Sequence, residues 1–329
     1  MKKRGIPGTD IEVSRLGLGT ATWGFPGTED DSAAQMRLFA DLGGTFLDTA
    51  NVYGNTRSEQ VIGDLLSKSF NRRDFVIATK AGLVPGRPPL RTDASHGRLL
   101  NELDDSLRRL GTEHVDLWQI HAWDYETPVE ETLTAIDKAV SSGKTRAVGV
   151  CNYCGWQTAK AATTQQIRGQ AALATLEVEY SLLQRGIERE VLPAAEEFDL
   201  GILPWAPLGR GVLTGKYVAG ITDEKAKSNF FRGYVQKYVV NDRCSRIVLE
   251  VVECARALGV TPGSIALSWA RDRPRVVAPL VGARTVDQLE ESLRSESVEL
   301  PVELRQRLDE VSAVPITYPE HRNPVMSSS

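Results

Sequence analysis

The sequence predicts an α/β fold, a closed (β/α)8 barrel of the TIM type with an N-terminal β-hairpin plug and long rim loops, on three observations. Eight short apolar runs alternate with helix-length segments, the pattern of parallel strands joined by crossover helices. Polar residues close several of these runs, notably Asp48, Lys80 and His121, as expected where such a barrel gathers functional side chains at the carboxyl ends of its strands. An open doubly wound sheet would carry a G-x-G-x-x-G turn after its first strand. Here Gly17-Leu18-Gly19-Thr20-Ala21-Thr22 lacks the third glycine and runs into Trp23-Gly24 in place of a helix.

Taken in order, residues 2–14 read as the hairpin, with Gly8 in the turn and Ile11 and Val13 alternating with polar neighbours. The eight strands fall at 16–19, 45–48, 75–79, 115–120, 146–150, 174–177, 201–205 and 276–281. Helix ends are marked between them. Thr127-Pro128-Val129-Glu130 reads as a capping box with proline at the first helical position, and Gly143 and Gly111 read as stops. Two longer interruptions, 85–97 and 208–242, leave the carboxyl rim and are expected to form substrate-pocket and cofactor-covering loops.

With 329 residues and no Pro/Ser-rich linker, the chain (1–329) is expected to be one barrel domain. A net charge of −4 and a pI near 5.7 give no footprint for nucleic acid, and Lys2-Lys3-Arg4 is too short for a basic arm, so a small-molecule partner is expected. No apolar run reaches the length of a membrane span, and Gly5, Pro7 and Gly8 interrupt any signal-peptide core, which leads to a cytoplasmic expectation. The oligomeric state is not legible. Four cysteines are no disulfide framework, and Cys151-x-x-Cys154, without a second pair or nearby histidine, reads as two ordinary thiols. His96 and His114 read as structural or surface residues.

Four polar residues stand at or just beyond three successive strand ends: Asp48, Tyr53, Lys80 and His121. An isolated buried Lys80 or Asp48 would cost several kcal/mol, so each is the expected partner of the other. Singly, each has an ordinary structural reading as packing, rim salt bridge or satisfied histidine. Together, at consecutive strand ends, they make a candidate site. After the last strand, Val281-Gly282-Ala283-Arg284-Thr285 leads to Gln288 in a second capping-box pattern, which opens a helix N-terminus at the rim position where this fold binds phosphate. Arg284 adds a planar, permanent cation there.

The stretch GGTFLDTANVYGNTRSEQVIG resembles the signature of the aldo-keto reductases, and RRDFVIATK, LGTEHVDLWQIH and GKTRAVGVCNY resemble that family's later segments in order and spacing. The resemblance runs from about residue 10 to 295. It implies a catalytic quartet at Asp48, Tyr53, Lys80 and His121, and a nicotinamide dinucleotide, NADP(H), as hydride source. Tyr53 would be the general acid/base, its proton loosened by Lys80; Asp48 would orient Lys80, and His121 would hold the carbonyl oxygen or relay the proton.

The same resemblance implies the cofactor residues. Trp205 would stack on the nicotinamide, with Gly19 and Thr20 beside it, Asp48 below, and Asn152 on the carboxamide. Leu208, Gly209, Arg210, Leu213, Gly215 and Lys216 would form the pyrophosphate loop. Arg284 would take the 2′-phosphate and Gln288 the adenine, although Gln288 also reads simply as a cap; Gly282 and Glu291 complete the set. Cys151, Glu177 and Ser292 depart from the family's Ser, Gln and Asn, which predicts altered cofactor affinity. Trp23, Tyr53, His121 and Trp123, with Tyr125, are expected to line the substrate pocket.

The leading expectation is a metal-independent, NADP(H)-dependent oxidoreductase interconverting an aldehyde or ketone with an alcohol. Two alternatives stay open: an NADPH-sensing regulatory subunit of a channel-like partner with weak reductase activity, as some family members are, and an unrelated barrel enzyme using the same phosphate cup.

Overall fold

In the computed structural model, which describes residues 1–25, 29–86, 91–218, 232–315 and 318, the chain opens with the expected hairpin. Strands β1 (Lys3–Gly5) and β2 (Glu12–Ser14) pair antiparallel around Gly8, whose φ of 67° is readily available only to glycine. Eight parallel strands follow: β3 (Gly17–Gly19), β4 (Phe46–Asp48), β5 (Val76–Ala81), β6 (Val115–Ile120), β7 (Thr145–Cys151), β8 (Leu173–Glu179), β9 (Gly201–Trp205) and β10 (Leu280–Val281). They pair in chain order, with β10 beside β3. The cylinder is closed through Ile202, whose N–H donates to Arg275 O at 2.8 Å and whose carbonyl accepts from Val277 N at 2.9 Å.

The last strand is shorter than the 276–281 expected from sequence. Val276 makes one bridge to Ile202, and regular pairing resumes only at Leu280. Pro279 lies between them and has no N–H to donate, although its carbonyl accepts from Gly17 N at 3.0 Å.

Helices cover the outside of the sheet: α1 (Glu29–Asp41), α2 (Arg57–Lys68), α3 (His96–Leu110), α4 (Val129–Ser141), α5 (Gly155–Arg168), α6 (Val191–Glu197), α7 (Arg232–Val239), α8 (Asp242–Leu258), α9 (Pro262–Arg271), α10 (Val286–Leu293) and α11 (Val302–Ser312). Gly111 ends α3 in the left-handed conformation, and Gly143 just beyond α4 adopts it too, as expected. The Thr127 capping box does not form. Pro128 itself occupies the cap position without a side-chain bond, and the Thr127 hydroxyl donates to Asp124 Oδ2 at 2.7 Å. Of the two expected rim loops, residues 87–90 and 219–231 lie outside the described residues; the second loop's described parts include a 3-10 turn, Gly209–Thr214, and α7.

Strand alternation sorts the barrel interior into layers. At the amino end, Ile6, Ile11 and Val13 of the hairpin cluster with Phe46, Ala78, Leu117, Ala147, Leu203 and Leu280, so the hairpin plugs that end with apolar surface. Two residues further along four of these strands the inward positions become Asp48, Lys80, Gln119 and Trp205. The change from apolar to polar is therefore a property of depth, and the polar layer lies at the carboxyl end. Outside the strands, at the end of α9, the guanidinium of Arg271 is fully buried but satisfied, donating to the carbonyls of Ser295 (2.5 Å) and Val298 (2.9 Å) and to Asp272 Oδ1 (2.8 Å).

Candidate active site

Lys80 is the centre of the polar layer. Its Nζ donates to both Asp48 oxygens at 2.7 Å and to Thr49 O at 3.1 Å, lies 3.2 Å from Glu177 Oε1, and reaches Tyr53 Oη at 3.4 Å. The side chain is fully buried. Burial alone would lower its pKa, but Asp48 and then Glu177 outweigh that cost and hold it well above the ordinary lysine value.

Local backbone puts these groups there. Asp48 ends β4, and its carbonyl accepts from Thr20 N and Thr20 Oγ1, both at 2.9 Å. The Ser58 hydroxyl donates to Thr20 Oγ1 at 2.8 Å, tying the start of α2 to the same point. Tyr53 stands on the turn between β4 and α2, where Gly54, Asn55 and Thr56 all take positive φ. Gly54 is required by crowding as well, because a Cβ there would lie 2.6 Å from Trp23 O. The Tyr53 and His121 rings meet edge to face, with centroids 5.9 Å apart.

His121 follows β6 and is anchored by its backbone N–H to Ala81 O at 2.8 Å. Its Nδ1 is buried and has no hydrogen-bond partner among the described residues. Burial, and secondarily Lys80, hold the imidazole down to about 3, so it is neutral near pH 7. A neutral imidazole can donate from one nitrogen and accept at the other.

Glu177 was expected from sequence only as a carboxamide contact, yet it is a second carboxylate on Lys80. It is 1% exposed, and its Oε2 accepts from Gln119 Nε2 at 2.7 Å. Gln119 in turn accepts from Thr175 Oγ1 at 3.1 Å. Gly149 makes this possible: a Cβ there would lie 2.1 Å from Thr175 Oγ1. Gln119 and Thr175 were not singled out from sequence. The available signal was a glutamine inside the apolar run VDLWQI, in phase with inward-facing Leu117.

The second carboxylate changes the electrostatics. Burial and then Glu177 raise the Asp48 carboxyl to about 8, against the pull of Lys80. The expected loosening of the Tyr53 proton is not realised in this state. Burial raises the phenol above its ordinary value, and Lys80 opposes that only in part because Asp48 and Glu177 counter its field.

Several expected cofactor and pocket positions are already engaged within the protein. Asn152, at φ 60°, accepts from Trp205 Nε1 at 2.9 Å and donates to His121 O at 3.0 Å and to Cys151 Sγ at 3.1 Å, so it fixes the edge of Trp205. Cys151 is buried, and burial pushes its thiol well above the usual value; Cys154 is a second free thiol at the start of α5. The Thr20 hydroxyl is buried and spent on Asp48 and Ser58. Trp23 is corrected as a pocket wall: it is 1% exposed, and its Nε1 donates to Gln35 Oε1 at 3.1 Å in the core. Trp123 is half-buried against Tyr153 and Trp156, while Tyr125 is exposed.

The rim residues form two cationic edges. After Trp205, the chain passes through Leu208 and positive-φ Gly209, Arg210, Gly211 and Gly215, a tight loop in which the N–H groups of Gly209, Gly211 and Gly215 donate to the carbonyls of Ala206, Leu208 and Val212. Leu213 is buried beneath it, Arg210 lies 5.3 Å over the Trp205 ring, and exposed Lys216 lies 5.1 Å over Tyr217. Across the rim, Gly282 follows β10 close to Gly19, where a Cβ would meet Gly19 O at 3.6 Å. Thr285 caps α10 by accepting from Gln288 N at 3.3 Å, and Gln288 Oε1 accepts from Arg284 N at 3.1 Å. Gln288 therefore is a cap, one residue out of the expected box. Arg284 and Glu291 are exposed, whereas Ser292 is buried and donates to Gln288 O at 2.9 Å, away from an adenine-side role.

A dinucleotide fits this donor set: an aromatic face at Trp205, a left-handed loop with Arg210 and Lys216, and a capped helix N-terminus with Arg284. Among the described residues, no three His, Cys, Asp or Glu side chains group to hold a metal ion, and no helix is long and apolar enough to cross a membrane.

The family model described as "Aldo/keto reductase family" matches residues 15–313. "Uncharacterized oxidoreductase YrpG" of Bacillus subtilis is 33% identical over 315 residues, covering 92% of this chain and 93% of that protein. "Aldo-keto reductase YhdN" of the same organism is 32% identical, covering 88% and 87%. "L-glyceraldehyde 3-phosphate reductase" of Escherichia coli (strain K12) is 32% identical, covering 88% and 86%. With a matching model across nearly the whole barrel and the Asp48–Lys80 pair at its carboxyl rim, this chain belongs to the aldo/keto reductase family, a family of oxidoreductases that act between carbonyl and alcohol and generally use a nicotinamide cofactor.

Proposed function

We propose that the protein is a cytoplasmic, metal-independent, single-domain NADP(H)-dependent oxidoreductase that interconverts an aldehyde or ketone with an alcohol. The observation that carries this reading is the phenol of Tyr53 held 3.4 Å from a buried ammonium and edge-on to a neutral His121, in the one polar layer of the barrel. When bound, the nicotinamide cofactor supplies or accepts the hydride. Trp205, Asn152, Arg210, Lys216 and Arg284 are the residues proposed to hold it.

Hydride arrival at a carbonyl carbon leaves charge on the oxygen, and Tyr53 is the group proposed to deliver the proton. His121 donates to the same oxygen and orients it. Lys80, kept charged by the carboxyl groups of Asp48 and Glu177, favours phenolate after the proton has left, and Tyr53 then serves as base in the reverse direction. The name of the E. coli relative, a reductase of a phosphorylated aldehyde, agrees with the reductive direction.

The test is a panel of aldehydes and ketones with NADPH, and of alcohols with NADP+, followed at the nicotinamide absorbance. Turnover of at least one carbonyl class supports the reading. Absence of turnover together with absence of NADPH fluorescence change on mixing overturns it.

A further inference from the structure

Lys80 neutralises only one of the two carboxylates it touches. Asp48 meets it at 2.7 Å and Glu177 at 3.2 Å, and both carboxylates are at most 3% exposed. With both ionised the buried cluster carries one excess negative charge, which a low-dielectric interior resists. Among the described residues, the other groups facing Glu177 do not supply the missing cation. Gln119 on β6 and Cys151 on β7 are uncharged, and Tyr53 is a phenol. Glu179, two residues on along β8, is another carboxylate and accepts from Tyr238 Oη at 2.9 Å. Arg210 lies over the Trp205 ring, 5.3 Å from its centre, and its charge bears on Tyr238, the partner of Glu179.

The hydride must arrive at a carbon bonded to the oxygen that Tyr53 protonates, so the nicotinamide ring has to lie within a few ångströms of Tyr53 Oη. Glu177 is two contacts from that atom, through Lys80. The ring is neutral in the reduced cofactor and positively charged in the oxidised one. We infer that Glu177 is a redox-state selector: it leaves the cluster one positive charge short of holding both carboxylates ionised, so the site favours the oxidised, cationic nicotinamide, which supplies that counter-charge, over the reduced one. This rests on the proposed dinucleotide site. The carboxylate acts through space and need not touch the ring.

Two consequences follow. The bound couple becomes a stronger reductant than the free one, so hydride transfer on the enzyme is pulled toward carbonyl reduction and the oxidised cofactor leaves slowly. Binding is also linked to protons. Asp48, raised to about 8 by burial and then Glu177, retains a proton near pH 7. Arrival of the cationic ring stabilises both carboxylates and expels that proton, whereas arrival of the neutral ring does not.

The experiment measures Kd for NADP+ and NADPH by calorimetry at pH 7 in two buffers of different ionisation enthalpy, and again at pH 9, for the wild-type chain and Glu177→Gln. The expected result is release of a fraction of a proton with NADP+ alone, and NADP+ affinity that gains on NADPH affinity from pH 7 to 9. In Glu177→Gln the Kd ratio of NADP+ to NADPH should rise about ten- to a hundredfold, with proton release and pH dependence lost. A purely structural glutamate would weaken both cofactors equally. If both bind and the ratio is unchanged, the inference is overturned while the dinucleotide site stands; if neither binds to the wild type, both fall. Should Glu177→Gln fail to fold, wild-type proton release decides: equal release with the two cofactors overturns the inference.

Discussion

Lys80 Nζ lies 3.4 Å from Tyr53 Oη and 5.1 Å from the centre of the same ring, so the ammonium addresses the phenol from near its oxygen while its shorter bonds go to Asp48. The pairing makes Lys80 a structural cation first. Its removal leaves two carboxylates in a site with no other buried cation in contact among the described residues.

Lys80→Met should therefore destabilise the fold by about 3–5 kcal/mol, the cost of leaving a buried charge without its partner. Asp48→Asn should cost less, because Glu177 still faces the ammonium. Urea denaturation at pH 7 reads both. An Asp48→Asn penalty equal to or larger than that of Lys80→Met would show that Glu177 does not share the ammonium.

Tyr53→Phe removes one oxygen from a half-buried turn and leaves Lys80 with Asp48, Glu177 and Thr49 O. Turnover with the best carbonyl substrate should fall by about 10²–10⁴-fold, the usual range for a lost general acid, with NADPH affinity nearly unchanged. Stopped-flow single turnovers separate the two quantities. Retained turnover would remove Tyr53 from the chemistry.

The folded protein holds His121 neutral down to about pH 3, whereas the unfolded chain takes up a proton near 6.5. A histidine lowered by folding supports stability above its unfolded value. That contribution is lost as pH falls from 6.5 toward 3, because the unfolded state then binds the extra proton. Replacing His121 with Gln should flatten this part of the pH–stability curve, leaving the variant less acid-sensitive by the order of 1–3 kcal/mol near pH 3. A parallel curve for the two proteins would show that His121 protonates in place. The same neutrality predicts that no limb of the kcat/KM profile near pH 6.5 disappears in the variant.

Much of the barrel is legible in the sequence because its strands are short apolar runs with polar ends, and because one inward residue follows another at a spacing of two. Phe46 and Asp48, or Ala78 and Lys80, report both direction and depth. What is not legible is decided by contacts between distant segments. Glu177 meets Lys80 only after four strands have been placed side by side, and Trp23 turns inward because Gln35 is there to receive its indole N–H. Thr127 loses its capping role within its own turn, where its hydroxyl donates to Asp124 and Pro128 takes the cap position. The shortened last strand is the exception: Pro279 was visible, and its missing donor could have been read from the start.

Arg284 is exposed, stands one residue before the Thr285 cap, and has its backbone N–H committed to Gln288 Oε1, which fixes where the side chain leaves the rim. A guanidinium so placed adds little to binding a dinucleotide whose adenosine ribose carries a hydroxyl. It adds a charge-assisted pair to one that carries a phosphate monoester there. Arg284→Ala should raise Kd for NADPH by about tenfold or more while changing Kd for NADH by less than about twofold. The difference should shrink with added salt, because an exposed ion pair is screened within a Debye length of about 10 Å at 0.1 M. Fluorescence titrations of both cofactors at low and high ionic strength provide the comparison. Equal losses for NADPH and NADH would assign Arg284 to the shared part of the dinucleotide and leave selection of the phosphate to Lys216 or Arg210.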